Sequence, residues 1–536
     1  MMAVYTKQAP LFTLGQLLPA QLEKVKSVIT DDIVNITVSG LLIDSRKINV
    51  GDVFIALTGV HTHGEKYIAA AIKQGASAVL CDVSDASSSD DVVVDYYDTT
   101  PIIFIRDLGC HLSEIAGNFY GHPTRHIPVV GITGTNGKTS CAQIYAQLAA
   151  LNGKRAGVVG TIGFGVCQPG KSLIPSSTLS LESTGMTTPD AVSAQRICAE
   201  LASPINNKRG GQQTAVDSIV MEVSSHGLSQ GRVAAMAIDT AVFTNLTHDH
   251  LDYHGDMEAY GAEKAKLFNM SSVTQAVLNL DDEFAFSLIN VIDKSVSIVT
   301  YSVSNSDADL YLSDIRYGGS QLLADLHVGQ STYSLATPLI GRFNLANLLA
   351  VLSVFSKEDS ASDDFSRIVS LAQYITSAEG RMELIPNAVG LQVIVDFAHT
   401  PDALDNVLQA VSEYTQGEIH CVFGCGGDRD QAKRPLMAKI AEHYAQHIIV
   451  TNDNPRTESP DKIIRDIMQG FTVNIPQVIT DREAAIGVAI AQAKVGDVII
   501  IAGKGHENYQ LIGQQKMPFS DQVVARLALE KREKVA

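Results

Sequence analysis

Short apolar runs in this chain end again and again in glycine or polar residues. The run 127–132 leads into Gly131-Ile-Thr-Gly-Thr-Asn-Gly-Lys-Thr-Ser140. The run 216–221 leads into Glu222-Val-Ser-Ser-His226, 241–243 into Thr244-Asn-Leu-Thr-His-Asp-His250, and 277–278 into Asn279-Leu-Asp-Asp282. Towards the C-terminus the pattern returns: 393–395 before Asp396-Phe-Ala-His-Thr-Pro-Asp402, 419–423 before Gly424-Cys-Gly-Gly-Asp-Arg-Asp430, 448–450 before Thr451-Asn-Asp-Asn-Pro-Arg456, and 498–501 before Ala502-Gly-Lys-Gly-His-Glu507. Such runs read as buried strands, with helical patterns between them. Cys141, Ile144, Tyr145, Leu148 and Ala149 share one helical face, and Asn152-Gly153 stops that helix. This alternation builds a parallel sheet. Ligands of such sheets bind beyond the carboxyl ends of the strands, where the polar clusters stand.

Three regions follow from the pattern: 1–124, 125–377 and 378–536. In the first, 44–47 reads as loop, 51–57 as strand, 59–64 as loop, 68–72 as helix, 76–80 as strand and the Ser/Asp-rich 84–91 as loop. In the second, 203–214 reads as an exposed insertion, Gly341-Arg-Phe-Asn-Leu-Ala-Asn347 opens an apolar helix, and 356–364 reads as a linker. The predicted class is α/β with three domains: a small N-terminal α/β domain, a central P-loop-like ATPase domain with a mostly parallel sheet, and a C-terminal Rossmann-like domain.

Composition narrows the function. A length of 536 residues with 45% apolar and 18% charged residues suits a globular protein of several domains. A net charge of −18 disfavours nucleic-acid or anionic-membrane partners. It leaves room for an anionic small substrate, because local Lys, Arg and metal charge set the field inside a cleft. The seven cysteines are scattered, and no second pair joins Cys421 and Cys425. Reduced core thiols are therefore expected. The first residues lack a signal-peptide apolar region and no run approaches a membrane span, so a cytoplasmic protein is expected.

The most informative cluster lies at 131–140. Glycines between a strand and a helix leave backbone N–H groups free for an anion, and the helix dipole favours negative charge there. Gly134 and Gly137 allow close approach to a phosphate, Lys138 reaches terminal phosphates, and the Thr139 hydroxyl suits Mg²⁺. The spacing is not that of an ordinary P-loop, which would want glycine at Ile132. Glu222, Thr139 and His250 follow strands and offer donors for Mg²⁺ beside ATP. His248, Asp249, His250, Asp252 and His254 raise zinc as an alternative, although their spacing fits no standard pattern.

Thr-Gly-Thr-Asn-Gly-Lys-Thr resembles the ATP loop of the Mur ligases, which build the peptide of bacterial cell-wall precursors; folylpolyglutamate synthases share a similar loop. The resemblance extends through the chain. Asp44-Ser45-Arg46 with Gly51-Asp52 resembles the family's uridine-nucleotide domain, implying contacts from Ser45, Val60, His61 and Thr62. Thr187 and Thr188, then Ser224, Gln230 and Arg232, resemble contacts to the acceptor, UDP-N-acetylmuramoyl-L-Ala-D-Glu; Met186 stands where some members carry a polar residue. The ATP side would include Gly134 to Ser140 (with Thr135 and Asn136), Asn347, Arg381 and His399. The segment 251–260 resembles the one before the family's carbamylated lysine, which implies Lys264, with Lys266 a close competitor. A carbamate would reverse the lysine's charge and supply oxygens for a second Mg²⁺. Asp453-Asn454-Pro455-Arg456 resembles the motif of the family's meso-2,6-diaminopimelate-adding ligase, with Arg456 gripping a carboxylate that L-lysine lacks. Arg429, Gly503 and Glu507 would complete that site, Glu507 pairing with an ammonium.

Overall fold

The computed structural model describes residues 12–59, 63–83, 92–169, 181–203, 205–206, 212–213, 215–318, 321–356, 363–473 and 475–534. Among these, three large sheets correspond to the three regions. Val60, His61, Thr62 and most of the 203–214 insertion lie outside them, although Ile205–Asn206 pairs with Gln212–Gln213.

The middle sheet runs, in spatial order, Phe164–Cys167, Ala156–Val159, Ser218–Glu222, Val129–Thr133, Thr240–Phe243, Gln275–Asn279, Ser297–Ser302, Leu310–Gly318, Gln321–Val328 and Ser331–Thr337. Pairing is parallel from Ala156–Val159 to Leu310–Gly318 and antiparallel beyond both ends. Alternate residues point to opposite faces. Val130, Ile132, Val220, Val242 and Val277 enter one apolar cluster; Val129, Ile219, Met221, Ala241 and Leu278 enter the other. Burial on both faces is why these strands read as unbroken apolar runs.

The Lys138–Leu151 helix follows the central strand and stops at Asn152. All five of its predicted core residues are buried, but so are Ala142 and Ala146; Arg342–Phe355 packs along this helix, with Asn347 at Cys141 and Phe355 stacked on Tyr145. Ile132 is buried in the strand, so the loop proper begins only at Gly134. Glycine at 132 would remove a buried branched side chain, at a cost of about 2–5 kcal/mol.

The C-terminal sheet is ordered Glu383–Ile385, Gln392–Asp396, Val498–Ala502, Ile419–Phe423, His447–Val450 and Gln477–Val478, parallel except for the first strand. All four strand-to-cluster junctions predicted there occur. The N-terminal sheet, Gly40–Leu42, Asp52–Ala56, Ala78–Val83, Thr100–Arg106 and Val92–Tyr97, is parallel with one antiparallel edge.

Several expectations are corrected. Residues 45–47 form a short 3-10 turn, and the strand expected at 76–80 spans Ala78–Val83. The linker expected at 356–364 ends in a helix, Asp363–Leu371; its acidic start hid that helix's apolar face, which packs on Ser331–Thr337. The antiparallel strands from Leu310 to Thr337 and a hairpin, Tyr509–Ile512 with Gln515–Pro518, were not legible. Six cysteines are buried thiols as expected, but Cys110 is exposed. Burial pushes the Cys421 and Cys425 thiols up to about 12.

Candidate active site

Register places the central elements. Ser218–Glu222 and Thr240–Phe243 flank the Val129–Thr133 strand, with Glu222 opposite Ile132 and Phe243 opposite Thr133. The segments following these strands converge on Gly134–Gly137. Asn245 Oδ1 accepts from Asn136 N at 2.8 Å, Asn245 O accepts from Thr135 N at 2.8 Å, and Thr244 Oγ1 donates to Asn136 O at 2.6 Å. Gly134 and Gly137 have φ of +150° and +87°. A Cβ at Gly134 would collide with Thr244 Oγ1, and one at Gly137 with Asn347 Oδ1. This close packing brings Asn347 against the loop.

Lys138 Nζ donates to the carbonyls of Gly134 at 2.7 Å and Thr135 at 2.9 Å. Its ammonium thus stands within its own loop. Burial lowers its pKa, while the charges of Glu222 and Asp249 oppose that shift.

Glu222 is buried and fully engaged. Its Oε2 accepts from Thr139 Oγ1 at 2.8 Å and Thr161 Oγ1 at 2.9 Å, and its Oε1 accepts from Thr161 N at 2.9 Å. Thr161 Oγ1 also lies 3.0 Å from Thr187 Oγ1. Thr188 Oγ1 donates to the Glu222 carbonyl at 2.9 Å and accepts from Ser224 N at 2.9 Å. Arg232 Nη1 donates to Thr188 O, while its Nε and Nη2 grip Gln230 Oε1 at 3.0 and 2.6 Å. The five expected acceptor-side residues therefore form one network joined to Glu222. Met186 is exposed beside it.

His250 adopts a left-handed backbone (φ 54°) and lies in a ring cluster with His226, Tyr253, His254 and Tyr260. Under this cluster Lys264 is buried, its Nζ 4.1 Å from the Tyr260 ring centroid, and no carboxylate pairs with it among the described residues. Burial, then the charge of Lys138, holds its pKa well below 10.5. Lys266 is exposed and pairs with Glu263 at 2.7 Å. Among the described residues no group of three or more His, Cys, Asp or Glu is arranged to hold a metal. The Thr139–Glu222 oxygens fit a hard divalent cation.

From the C-terminal domain, Arg381 stacks 4.5 Å from the Phe397 ring centroid, on which His399 also packs, at 4.6 Å. Arg381 feels the charge of Glu222, and His399 that of Asp249. His399 Nδ1 is 2.8 Å from Phe397 O, which can only accept, so Nδ1 carries the proton. Burial first, then Lys433, lowers its pKa to about 4 and keeps the ring neutral.

The amino-acid motif forms a second cluster. Arg456 has a left-handed backbone (φ 52°), which costs a non-glycine residue about 1–2 kcal/mol. Its Nη1 donates to Gly427 O at 2.8 Å, and Arg429 is close enough to lower its pKa, after burial. Gly503 (φ +120°) comes so close to Asp453 that a Cβ would lie 2.8 Å from Oδ2. Glu507 has partners of its own within the protein. Its Oε2 already accepts from Asn454 Nδ2 at 2.8 Å and from the buried Lys504 Nζ at 3.1 Å, leaving Oε1 with only Tyr509 OH at 3.4 Å. Lys504 was missed; a lysine between Gly503 and Gly505 was its only signal. Asn245 and Asp402, which reach the loop at Asn136, and Thr161, which reaches Glu222, were missed too, because only tertiary folding makes these contacts.

Ser45 stands apart. It lines a cleft of about 600 Å³ with Asp44, Arg46, Tyr67, Asp190 and Arg196, between the N-terminal sheet and the Ala191–Ala202 helix. A groove of about 530 Å³, lined by Ile490, Val524 and Leu527, contains none of the expected site residues.

Sequence models of the Mur ligase family match all three regions: "Mur ligase family, catalytic domain" at 37–120, "Mur ligase middle domain" at 132–355, and "Mur ligase, glutamate ligase domain" at 380–505. The chain belongs to the Mur ligase family. It is an ATP-dependent ligase. A UDP-N-acetylmuramoyl-L-alanyl-D-glutamate--2,6-diaminopimelate ligase of Pseudomonas syringae pv. tomato is 43% identical over 91% of this chain and 94% of its own length. The Coxiella burnetii ligase of the same name is 41% identical over 96% and 100%. A solved ligase of that name superposes with a TM-score of 0.62 at 33% identity, covering 95% of this chain and 99% of its own. MurF ligase from Thermotoga maritima, solved with ADP, shares the Mur ligase fold at TM-score 0.60 and 18% identity, covering 92% and 98%. No helix among the described residues is long and apolar enough to cross a membrane.

Proposed function

We propose that this Mur ligase joins meso-2,6-diaminopimelate to the D-glutamyl γ-carboxylate of UDP-N-acetylmuramoyl-L-Ala-D-Glu in peptidoglycan precursor synthesis. The observation that carries the choice of amino acid is Arg456, which feels the charges of both Arg429 and Glu507, a carboxylate whose Oε1 has only the Tyr509 hydroxyl at 3.4 Å. Guanidinium groups facing a carboxylate suit an amino acid with a carboxylate at one end and an ammonium beside it. L-Lysine has no such second head.

In this reading the acceptor carboxylate attacks the γ-phosphate of ATP and displaces ADP. The resulting acyl phosphate is attacked by the neutral amine of diaminopimelate, and phosphate leaves. Lys138 neutralises the phosphate charge that otherwise repels the incoming carboxylate, and the loop N–H groups fix the phosphate's position. The network from Arg232 through Thr188 holds the acceptor near Glu222. Neutral His399 and stacked Arg381 close the nucleotide side from the C-terminal domain. Thr139, Glu222 and His250, with the Lys264 carbamate, would hold Mg²⁺, which supplies charge neutralisation on the phosphates when bound. Lys264 fits carbamylation because burial favours its neutral amine, and the neutral amine is the form that adds CO₂.

Ser45 and its cleft would take the uridine nucleotide. The domain limits follow as 1–124, 125–377 and 378–536, and ATP as co-substrate accords with a cytoplasmic enzyme. The deciding experiment measures phosphate release and product mass with ATP, Mg²⁺, acceptor and either diaminopimelate or L-lysine. Tripeptide product with diaminopimelate alone is expected. Product with lysine alone would keep the family and remove the Arg456 argument. A near-wild-type rate in Lys138→Ala would overturn the ATP-loop assignment.

A further inference from the structure

The hairpin Tyr509–Ile512/Gln515–Pro518 lies beyond the matched glutamate ligase domain, which ends at 505, and has no role in the chemistry above. Its contacts are nevertheless concentrated on the Asp453–Arg456 motif. Gln510 Nε2 donates to Asp453 O at 2.7 Å, and Leu511 N donates to Asn454 Oδ1 at 2.9 Å. Arg456 N donates to Leu511 O at 3.0 Å, and Gly513 N donates to Arg456 O at 2.7 Å. Arg456 and Ile512 form a parallel bridge. Both backbone groups of Arg456 are therefore held by this hairpin, at a residue whose left-handed conformation opposes its own side chain.

The same contacts set the polarity of the motif. Asn454 Oδ1 is occupied by Leu511 N and by Lys504 Nζ at 2.9 Å, so its Nδ2 must face Glu507. With that amide and the Lys504 ammonium on Oε2, the other oxygen of Glu507 carries only the long contact of the hairpin's Tyr509 hydroxyl, at 3.4 Å. The hairpin and Lys504 thus orient two groups of opposite charge, Arg456 and Glu507, without meeting the reacting atoms.

We infer that this hairpin is the specificity-determining positioning element of the amino-acid site: it holds Arg456 in the conformation that receives the distal carboxylate of a diamino dicarboxylate. The inference rests on the amino acid proposed above. Gln510→Leu removes one anchor at nearly constant volume, and Gly513→Ala strains the turn (φ +59°) that supplies another.

The test compares steady-state kinetics of the full-length enzyme and both variants, separately and combined with Arg456→Ala. In each single variant the KM for diaminopimelate should rise by about tenfold or more, the scale of one lost hydrogen bond to the motif, while the KM for ATP stays within about twofold. In the Arg456→Ala background, adding Gln510→Leu should raise the diaminopimelate KM by clearly less than it does in the wild type, because part of what the hairpin holds is that guanidinium. An unchanged diaminopimelate KM in both single variants would overturn the inference, as would full additivity with Arg456→Ala. A parallel rise in the ATP KM would mean general loosening of the domain and would also overturn it. If wild-type enzyme makes no product with diaminopimelate, the substrate reading itself has failed, a result distinct from all of these.

Discussion

Asn136, in the loop between the Val129–Thr133 strand and the Lys138–Leu151 helix, donates from its side-chain amide to the carboxylate of Asp402 across 2.9 Å. Asp402 lies in the first turn of the C-terminal-domain helix Pro401–Ser412, so this bond ties that domain to the loop. Thr247 Oγ1 lies 3.5 Å from the same oxygen. Asp402→Ala should lower kcat by roughly tenfold, about 1.4 kcal/mol, through weaker closure over ATP. Stopped-flow phosphate release checks this. Wild-type kcat would show that the contact does not support the closed arrangement.

Lys264 gives a prediction with a pH sign. Its pKa is lowered by burial and by Lys138. In the unfolded chain the lysine stays protonated up to about 10.5, whereas in the folded protein it is neutral from a lower pH. Between the lowered pKa and 10.5 the unfolded state binds more protons, so this residue's contribution to stability improves as pH rises through that window. Carbamate formation needs the neutral amine, so carbamate should be lost as pH falls through the lowered pKa. Nuclear magnetic resonance with isotope-labelled bicarbonate would detect the carbonyl, and a spectrum without it at high pH would remove the assignment.

Lys264→Met should abolish ligation yet raise the unfolding temperature, because burying an amine without a charged partner costs free energy that a methionine avoids. Differential scanning calorimetry provides the check. A fall in unfolding temperature would indicate that the amine is held better than its contacts suggest.

Glu222→Gln keeps the size of the side chain but removes the charge beside Thr139. Phosphate release should fall by about a hundredfold or more, and the Mg²⁺ concentration for half-maximal rate should rise. A Mg²⁺ titration reads both. An unchanged Mg²⁺ requirement would move the cation away from Glu222.

Arg456→Lys preserves charge but loses the forked donor set and the bond to Gly427 O. Catalytic efficiency with diaminopimelate should drop by about tenfold to a hundredfold, with the ATP KM unchanged. Competition between diaminopimelate and L-lysine, read by product mass, would show how much discrimination the fork provides.

The sequence by itself determined the strand-to-cluster junctions, the phosphate loop and the order of the three regions. These are local: an apolar run buried on both faces needs no partner to be recognised, and Gly134, Gly137 and Lys138 sit at fixed spacing. It also put Lys264 and Arg456 forward by resemblance, but could not separate Lys264 from Lys266. Burial separates them, because it depends on what packs over each side chain: Lys264 lies under the histidine cluster, and Lys266 faces water. Only the tertiary structure brought Asp402 to Asn136, residues 266 positions apart, and Thr161 to Glu222, 61 apart. Only it showed Lys504 and the hairpin framing Arg456. Polar contacts made across such separations leave no periodicity in the chain, since each residue's neighbours in sequence are not the groups that satisfy it.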